Sequence, residues 1–367
     1  MCKTVVHSET SLGWGGQEIR ILEEMKAMRD RGYRMILAAP EQSAIYPKAE
    51  KADFQVEPMS SNRLKYPISI FKLARFFYKE KVHIVNMHSS RDGYIAGIAA
   101  RLAGVPLIIR TRHIDVDYPN KFISRFAFGK IPHHITTTSQ LIAERLIHQL
   151  SLSPNSVSCI PTGIDLAKYG SVRGLDLELR KEFLSDGAEW LIGMVTVLRS
   201  WKGHRIFLEA IAEIKKDLPN VHYIIAGKGP MRDRIESWIE ELELQDCVRL
   251  IGHRDDVPAL LVALDLIVLP SYAHEGIPQI ILQAQVSGTP VIGTTVGGIP
   301  EVIRHGSTGL LVEPKDPSAL GQAIIKLARN SELCSHLGTN ALKFALSRHS
   351  LRQMCEATEE VYQQYLD

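Results

Sequence analysis

Three charged residues in the second half of the chain come directly after apolar, strand-like runs. Arg199 and Lys202 follow WLIGMVTVL, and Glu275 lies in the loop after DLIVLP. Loops that follow parallel strands meet at one edge of a sheet, which is where open α/β sheets bind ligands. Two cations at such a place predict the neutralisation of a phosphate pair without a metal. The alternative is that both side chains cap a helix and are solvated.

A predicted helix lies directly behind Glu275. Pro278 is placed where the helix can begin and Gly288 just past its end, which is the typical asymmetry of helix termini. Residues 265–270 and 290–294 are short apolar runs that predict a strand on either side. Because the N-terminus of a helix carries a partial positive charge, this unit predicts an anionic ligand.

Glycine turns follow three of the predicted strands in this half. They are WKGH (201–204), AGKGP (226–230) and VGGIPE (296–301). Three turns and two cations at matching strand ends predict one shared crevice for a phosphorylated nucleotide.

Strand-like and helical segments alternate in both halves, which predicts an α/β protein with two parallel sheets. A chain of 367 residues exceeds the roughly 100–200 residues of one domain. We expect a first domain over residues 1–170, a linker over 171–187 and a second domain over 188–349. Residues from about 316 to 365 are expected to be helical.

Composition limits the class of protein. The net charge of +2 divides unevenly: residues 1–170 carry 23 Lys and Arg against 15 Asp and Glu, and the remainder 20 against 26. This asymmetry supports two domains with different partners. The five cysteines are scattered. The first residues, MCKTVVHSE, lack the long apolar core of a signal peptide, and no apolar run approaches the length of a membrane span, so neither is expected. A cytoplasmic protein is expected.

Residues 62–81 combine basic and aromatic character. They contain six Lys or Arg and one Glu, interleaved with Phe71, Phe76, Phe77 and Tyr78. One interpretation is a surface helix whose aromatic side chains pack on the sheet. The other is a helix that contacts an anionic membrane surface.

Several familiar catalytic patterns are absent from the sequence. GxSxG, HExxH and the P-loop do not occur, and Gly13, Gly15 and Gly16 do not form GxGxxG. Asp115 and Asp117 form a DxD that could hold a divalent ion, although two carboxylates at this spacing are common. The pair His133–His134 is expected to serve the fold or the surface.

Taken in order, these motifs resemble the glycosyltransferase family 4 enzymes of GT-B architecture. The residues that carry the resemblance are WKGH, AGKGP, the Gly252 turn of RLIGH, HEGIPQIILQA (274–284), GGIPEVI and GSTGLLV (297–312), PTGID (161–165) and the Gly15–Gly16 loop. The resemblance implies two Rossmann-like domains facing across a cleft, with a C-terminal helix (about 350–367) returning to the first. It also implies transfer with retention of configuration, from a nucleoside-diphosphate sugar to a glycan or lipid-linked acceptor, without a metal or other cofactor. The acceptor would bind the basic first domain, with a peripheral location at the inner face of the cell membrane. Nucleic acid is not expected as a partner.

The resemblance also assigns roles to individual residues. Glu275 would face the hydroxyls of the donor sugar, Lys202 with Arg199 would hold the diphosphate, and His113 would face the reacting centre. The donor would further contact Gly16, Gly227, Gly229, Ile251, Gly252, Gly276, Ile277, Pro278, Gln283, Gly297, Gly298 and Glu301. The acceptor side would include Gly15, His88 and Ser89.

Two positions depart from the family pattern. Gln283 stands where the second acid of E-x7-E is expected, so it can accept a hydrogen bond from ribose only without charge assistance. Arg199 precedes Lys202 by three residues, a shorter spacing than in many relatives.

Two alternative functions remain. One is a sugar-nucleotide-binding protein that has lost catalysis, and the other is a Rossmann oxidoreductase.

Overall fold

The computed structural model describes residues 2–60, 62–116, 121–170, 176–184 and 189–366. The chain divides into two compact units, one of residues 1–163 with 351–367 and one of residues 164–350. Each unit is a parallel sheet covered by helices.

In the described part of the first unit, seven parallel strands form one sheet in the order β3-β2-β1-β4-β5-β6-β7. The strands are β1 (Thr4–Ser8), β2 (Arg34–Ala39), β3 (Gln55–Pro58), β4 (Ile84–Met87), β5 (Leu107–Arg112), β6 (His134–Thr137) and β7 (Val157–Cys159). The helices between them are α1 (Gly16–Asp30), α2 (Ile45–Lys51), α3 (Tyr66–Lys79), α4 (Asp92–Leu102), α5 (Lys121–Gly129) and α6 (Gln140–Leu150).

In the described part of the second unit, six parallel strands form a sheet in the order β10-β9-β8-β11-β12-β13. The elements are α7 (Ala167–Gly170), α8 (Asp176–Phe183), β8 (Trp190–Val195), α9 (His204–Ile214), β9 (Val221–Ala226), α10 (Arg232–Glu241), β10 (Val248–Gly252), α11 (Val257–Ala263), β11 (Leu266–Leu269), α12 (Gln279–Ser287), β12 (Val291–Thr294), α13 (Ile299–Val302), β13 (Leu310–Val312), α14 (Pro317–Ala328) and α15 (Ser331–Arg348).

Helix α16 (Leu351–Leu366) belongs to the first unit, as predicted for a returning C-terminal helix. It packs against α1 and buries Met354, Val361 and Tyr362 in the core that α1 forms with the sheet. Burying each such side chain stabilises the unit by about 1.5–3 kcal/mol relative to exposure. The C-terminal segment therefore completes the core of the first unit.

The segment expected to be a linker contains α8, which packs on the second unit. Arg180 donates hydrogen bonds to the carbonyl of Ala263 (2.8 Å) and to the carboxylate of Asp265 (2.9 Å). Phe183 is buried in the adjoining hydrophobic core. Residues 171–175 and 185–188 lie outside the described part of the chain.

Candidate active site

In the second unit, the turn after β8 and the loop after β11 are held together by backbone contacts. Gly203 ends a 3-10 turn at φ +82°, and a Cβ on it would lie 2.0 Å from the carbonyl oxygen of Pro270. Only glycine permits this approach, because any side chain would collide with the neighbouring backbone. The backbone N–H of Tyr272 also donates to the carbonyl of Trp201 (2.9 Å). Lys202 is thereby fixed beside the β11 loop.

Lys202 and Glu275 form a largely buried ion pair. Nζ of Lys202 donates to Oε1 of Glu275 over 2.6 Å, and the two side chains are 13% and 6% exposed. Removing one partner of such a pair would leave an uncompensated charge, at a cost of about 3–5 kcal/mol. The structure therefore brings together the two residues that the sequence placed in one anion site.

The GGIPE turn supports Glu275 from behind. Gly297 has φ +56°, and a Cβ there would lie 2.0 Å from the carbonyl oxygen of Glu275. The N–H of Gly298 points at the same oxygen over 3.4 Å. His274, which precedes Glu275, has φ +58°, a conformation that is uncommon for a residue with a side chain. Such strain is found where surrounding structure fixes a functional loop.

Helix α12 begins one residue later than predicted. Pro278 has extended backbone angles (φ −66°, ψ 120°) and occupies the N-cap position, because its conformation does not continue into the helix. Gly288 ends the helix in the left-handed conformation, as predicted. Gly276 and Ile277 are buried ahead of the helix. Gln283 is half-buried in α12, and no hydrogen bond of its side chain is present in the described residues.

The remaining residues that were expected to contact the nucleotide-sugar donor lie on neighbouring loops of the same sheet. The N–H of Gly227 donates to the carbonyl of Gly252 over 2.7 Å, which joins the loops that follow β9 and β10. Ile251 is half-buried beside Gly252, and Gly229 approaches the backbone of Leu198. Glu301 is half-buried in α13.

Arg199 occupies a different environment from Lys202. It is exposed at the start of the 3-10 turn, and its guanidinium lies over the ring of Trp201, 5.5 Å from the centroid. No contact in the described residues joins it to Glu275. Its predicted role in holding the diphosphate stays a prediction.

In the first unit, three histidines form a hydrogen-bonded chain at the carboxyl edge of the sheet. Nδ1 of His7 lies 2.8 Å from Nε2 of His88, and Nδ1 of His88 lies 2.9 Å from Nε2 of His113. All three are buried, and burial lowers the pKa of each one below that of an ordinary histidine. They are therefore neutral imidazoles at pH 7.

Asp92 fixes the loop that carries His88 and Ser89. Its carboxylate accepts from the backbone N–H of both residues (2.8 Å each), from the hydroxyl of Ser8 (2.9 Å) and from the hydroxyl of Ser89. Asp92 is fully buried as the first residue of α4. An acid there is stabilised by the positive end of the helix.

The glycine loop of the first unit surrounds a buried carboxyl group. Gly15 is the N-cap of α1, which begins at Gly16, and its N–H donates to Glu18 over 2.8 Å. Glu9 is fully buried, and it accepts from the N–H of Ser11 (2.6 Å) and from the side chain of Gln17. Burial, together with Asp92 and Glu18, raises the pKa of Glu9 to about 8.

Sequence reasoning missed His7, Glu9 and Asp92. Each lies at the end of an apolar strand or in the polar loop that follows one, with no spacing that distinguishes it from residues that serve the fold. Their proximity arises because β4 pairs with β1, across roughly 80 residues of sequence.

The DxD aspartate Asp115 and the pair His133–His134 contact other side chains of the first unit. Asp115 of the DxD pairs with Arg145, and Asp117 lies outside the described residues. His134 contacts the hydroxyl of Tyr365 (3.1 Å), and His133 contacts Arg101 (2.7 Å). These contacts agree with the expectation that the His133–His134 pair serves the fold.

The basic and aromatic segment forms α3, and its aromatic side chains divide between two environments. Phe77 is buried against the sheet, whereas Phe71 and Tyr78 are 69% and 76% exposed. Packing on the sheet therefore accounts for Phe77 but not for the exposed aromatic side chains of Phe71 and Tyr78. Among the described residues, no helix is long and apolar enough to cross a membrane.

Comparison with known proteins assigns the chain to a family. Residues 14–168 match the profile of Glycosyltransferase Family 4, and residues 176–344 match that of Glycosyl transferases group 1. The UDP-Gal:alpha-D-GlcNAc-diphosphoundecaprenol alpha-1,3-galactosyltransferase of Escherichia coli is 31% identical over 283 residues, which are 74% of this chain and 72% of the relative. This chain belongs to glycosyltransferase family 4. The N-acetyl-alpha-D-glucosaminyl L-malate synthase of Bacillus anthracis is 30% identical over 79% of this glycosyltransferase and 77% of the synthase.

Solved structures establish the fold of this glycosyltransferase. A glycosyltransferase from Rickettsia africae ESF-5 superposes with a TM-score of 0.88 at 21% identity, over 100% of this chain and 99% of that one. Anabaena Alr3699/HepE, solved in complex with UDP and glucose, superposes with a TM-score of 0.87 at 22% identity, over 98% and 99%. The predicted GT-B α/β fold is confirmed.

Proposed function

We propose that this glycosyltransferase moves a sugar from a nucleoside-diphosphate sugar to a glycan or lipid-linked acceptor in cell-surface polysaccharide or glycolipid assembly. The observation that carries the proposal is the buried Lys202–Glu275 pair at the strand ends of the unit that matches Glycosyl transferases group 1. The Escherichia coli relative is named for a UDP-sugar donor and a diphosphoundecaprenol acceptor. That pairing supports the same two classes of substrate here.

The charged pair suits the departure of a diphosphate. Cleavage of the bond between sugar and diphosphate places negative charge on the leaving oxygen. Lys202 supplies a fixed cation, and the N-terminus of α12 supplies aligned backbone dipoles for that charge. Glu275 would then exchange its contact with Lys202 for hydroxyls of the donor sugar.

We further propose that transfer retains the anomeric configuration and requires no metal. Both proposals rest on the family resemblance, and the cation of Lys202 supports the second, since it can neutralise a phosphate oxygen without a divalent ion. His113 would face the donor sugar, and the loop that carries His88 and Ser89 would lie on the acceptor side.

A panel of donors tests the function. The protein is incubated with UDP-galactose, UDP-glucose, UDP-N-acetylglucosamine or GDP-mannose in EDTA, with and without a diphosphoundecaprenol-linked sugar, and nucleoside diphosphate release is measured. We expect acceptor-dependent release with at least one donor, and a product whose anomeric configuration by NMR equals that of the donor. Tight donor binding without turnover would instead indicate a binding protein. A requirement for added divalent ion would contradict the metal-free site.

We also propose that the first unit contacts an anionic membrane surface through α3. Beside Phe71 and Tyr78, the side chains of Leu64 and Ile68 are 89% and 60% exposed. Among the basic residues of the segment whose side chains are described, Lys65, Lys72, Arg75, Lys79 and Lys81 are exposed. Apolar side chains interleaved with cations are typical of helices that lie in a membrane interface.

Liposome sedimentation tests the membrane proposal. Vesicles with anionic lipid should retain the protein at low salt and release much of it at moderate salt, because the attraction is screened. Replacing Phe71 and Lys72 together by Ser and Gln should weaken retention, whereas Lys216→Gln, at an exposed site in the second unit, should not. Equal behaviour of the two variants would contradict the proposal.

A further inference from the structure

The three-histidine chain of the first unit constrains the position of its protons. His7 lies in β1, His88 directly after β4 and His113 directly after β5. Neighbouring rings lie 5.0 Å and 5.2 Å apart between centroids. Each hydrogen bond requires one ring nitrogen that carries a proton and one that does not.

Only two arrangements of neutral rings satisfy both bonds. In the outward arrangement, His7 Nδ1–H donates to His88 Nε2, His88 Nδ1–H donates to His113 Nε2, and the proton of His113 is on Nδ1. In the inward arrangement every proton is on Nε2, so that His113 presents a bare Nδ1. The state of the outer ring is thus linked to that of the innermost ring.

The inner end of the chain favours the outward arrangement. Nε2 of His7 is buried and has no hydrogen-bond partner in the described residues. Inward protons would leave a buried N–H there without an acceptor, and such groups are rarer in proteins than unsatisfied acceptors. The charges that influence His7 are Glu24 and Arg20, which form a buried ion pair with each other (3.7 Å) and so largely cancel.

The outer end of the chain is the part that a ligand can reach. His113 is 9% exposed, whereas His7 and His88 are 0% and 2% exposed. Nε2 of His113 is occupied by His88, and Nδ1 has no hydrogen-bond partner in the described residues. Nδ1 is therefore the atom available to a substrate.

We propose that His7 and His88 are positioning residues that hold His113 as a neutral imidazole with its proton on Nδ1. In this form His113 donates a hydrogen bond to an oxygen of the bound sugar or acceptor, and it does not act as a general base through Nδ1. The identity of that ligand rests on the proposed glycosyl transfer, whereas the proton position does not. In general, the hydrogen bond made by one imidazole nitrogen determines whether the other nitrogen carries the proton.

Burial and charge agree with this assignment. Desolvation lowers the pKa of His113 well below the ordinary value, and Arg20 and Arg112 lower it further. The same holds for His88, where desolvation dominates and the two neighbouring histidines and Arg20 add to it. A doubly protonated ring is therefore disfavoured throughout the chain at neutral pH.

Nitrogen NMR of the full-length, histidine-labelled protein tests the proton positions without any substrate. The signals of His113 are assigned from their loss in His113→Gln. We expect Nδ1 of His113 to show the shift of a protonated, pyrrole-type nitrogen and Nε2 that of a bare, pyridine-type nitrogen. A proton on Nε2 of His113, or on both nitrogens at pH 7, would overturn the proposal.

Two variants of His7 distinguish positioning from packing. His7→Asn can still donate an amide proton to His88, and it should leave the pattern of His113 unchanged. His7→Asp offers only acceptors, so it should reverse the chain and move the proton of His113 to Nε2. An unchanged His113 in a folded His7→Asp protein would refute the link, and if that variant does not fold, the wild-type spectrum decides.

Turnover of the donor panel gives a second measurement. Reversal replaces the N–H of His113 that faces the ligand by a bare nitrogen, which cannot donate to an oxygen that only accepts. His7→Asp should therefore lower kcat about tenfold relative to His7→Asn, which corresponds to about 1.4 kcal/mol. If the wild-type protein turns over no donor, the proposed function fails while the spectrum still decides the tautomer. Equal kcat values in the two variants, with a reversed spectrum, would show that His113 does not donate to the substrate.

Discussion

At the carboxyl edge of the second sheet the central polar groups are a charged pair, Lys202 and Glu275, whereas at the same edge of the first sheet they are three neutral imidazoles. Both groups are largely buried, and burial acts on them differently. A buried ion pair remains charged because each partner neutralises the other. Histidines that only contact one another lose their charge.

This difference indicates a division of labour between the two units. Fixed charge is suited to an anion such as a diphosphate, and its effect is largest where water is excluded. Neutral donors and acceptors are suited to hydroxyl groups, which carry no net charge. Substitutions in the two units should separate these roles, and the largest effect is expected at Lys202.

Replacement of Lys202 by Met should lower kcat by about 10²–10³-fold, the usual loss when one donor to a developing negative charge is removed. The matched control is Lys216→Met, which removes the same charge from an exposed site in the turn after α9. Steady-state release of nucleoside diphosphate measures both. A loss of less than fivefold in Lys202→Met would contradict a charged leaving-group site.

Glu9 should make the protein less stable as the pH rises. Because its pKa is about 8 in the folded protein and about 4.5 when unfolded, the folded state holds an extra proton between these values. The free energy of unfolding should therefore fall between about pH 4.5 and 8, by an amount on the order of a few kcal/mol.

Urea unfolding across this pH range measures the effect. Glu9→Gln should flatten the dependence, since the amide does not titrate. Glu50→Gln, at an exposed position, should preserve it. A Glu9→Gln protein with the wild-type slope would show that the first unit holds an ionised carboxylate at this place.

Gly297→Ala should reduce kcat/KM about tenfold or more, because its Cβ would displace the backbone of Glu275 and with it the pair to Lys202. Gly306→Ala is the matched control. Gly306 has a similar positive φ of +75°, but nothing lies within 4 Å of its Cβ position. The control should therefore show only the strain of the left-handed conformation, about 1–2 kcal/mol of stability. Equal kcat/KM values for the two variants would contradict the support role of the GGIPE turn.

Gln283→Glu should produce the smallest change. A carboxylate at this position would accept from the ribose hydroxyls with charge assistance, which strengthens such a bond by roughly 1 kcal/mol. Calorimetry should show donor affinity increased severalfold, with kcat little changed. Unaltered or weaker affinity would indicate that Gln283 does not contact the nucleotide.

The sequence allowed the second unit to be predicted in more detail than the first. Apolar runs, turns and charged residues lie next to one another along the chain there, so local patterns place Lys202 and Glu275 each after a strand. The pairing of β8 with β11, which makes those strands neighbours, is seen only in the structure. Arg199 was expected to hold the diphosphate together with Lys202; in the structure it is exposed at the start of the 3-10 turn Ser200–Lys202, with its guanidinium over the ring of Trp201, and its role stays a prediction. A spacing of three residues between Arg199 and Lys202 does not show where each of the two side chains points.

The polar cluster of the first unit depends on contacts that are distant in sequence. His88 and His113 were expected from family resemblance, but their contact with each other and with His7 depends on the pairing of β1 with β4 and of β4 with β5. A lone histidine in an apolar strand has no local signature of such a partner. The neutral, linked state of these rings is therefore visible only in the folded protein.

A crystal structure with a nucleoside-diphosphate sugar bound tests the central claim most directly. We predict that a phosphate oxygen of the diphosphate lies within hydrogen-bond distance of Nζ of Lys202, ahead of the N-terminus of α12, and that Glu275 contacts hydroxyls of the sugar. A diphosphate bound away from Lys202, with the Lys202–Glu275 pair unchanged at 2.6 Å, would contradict it.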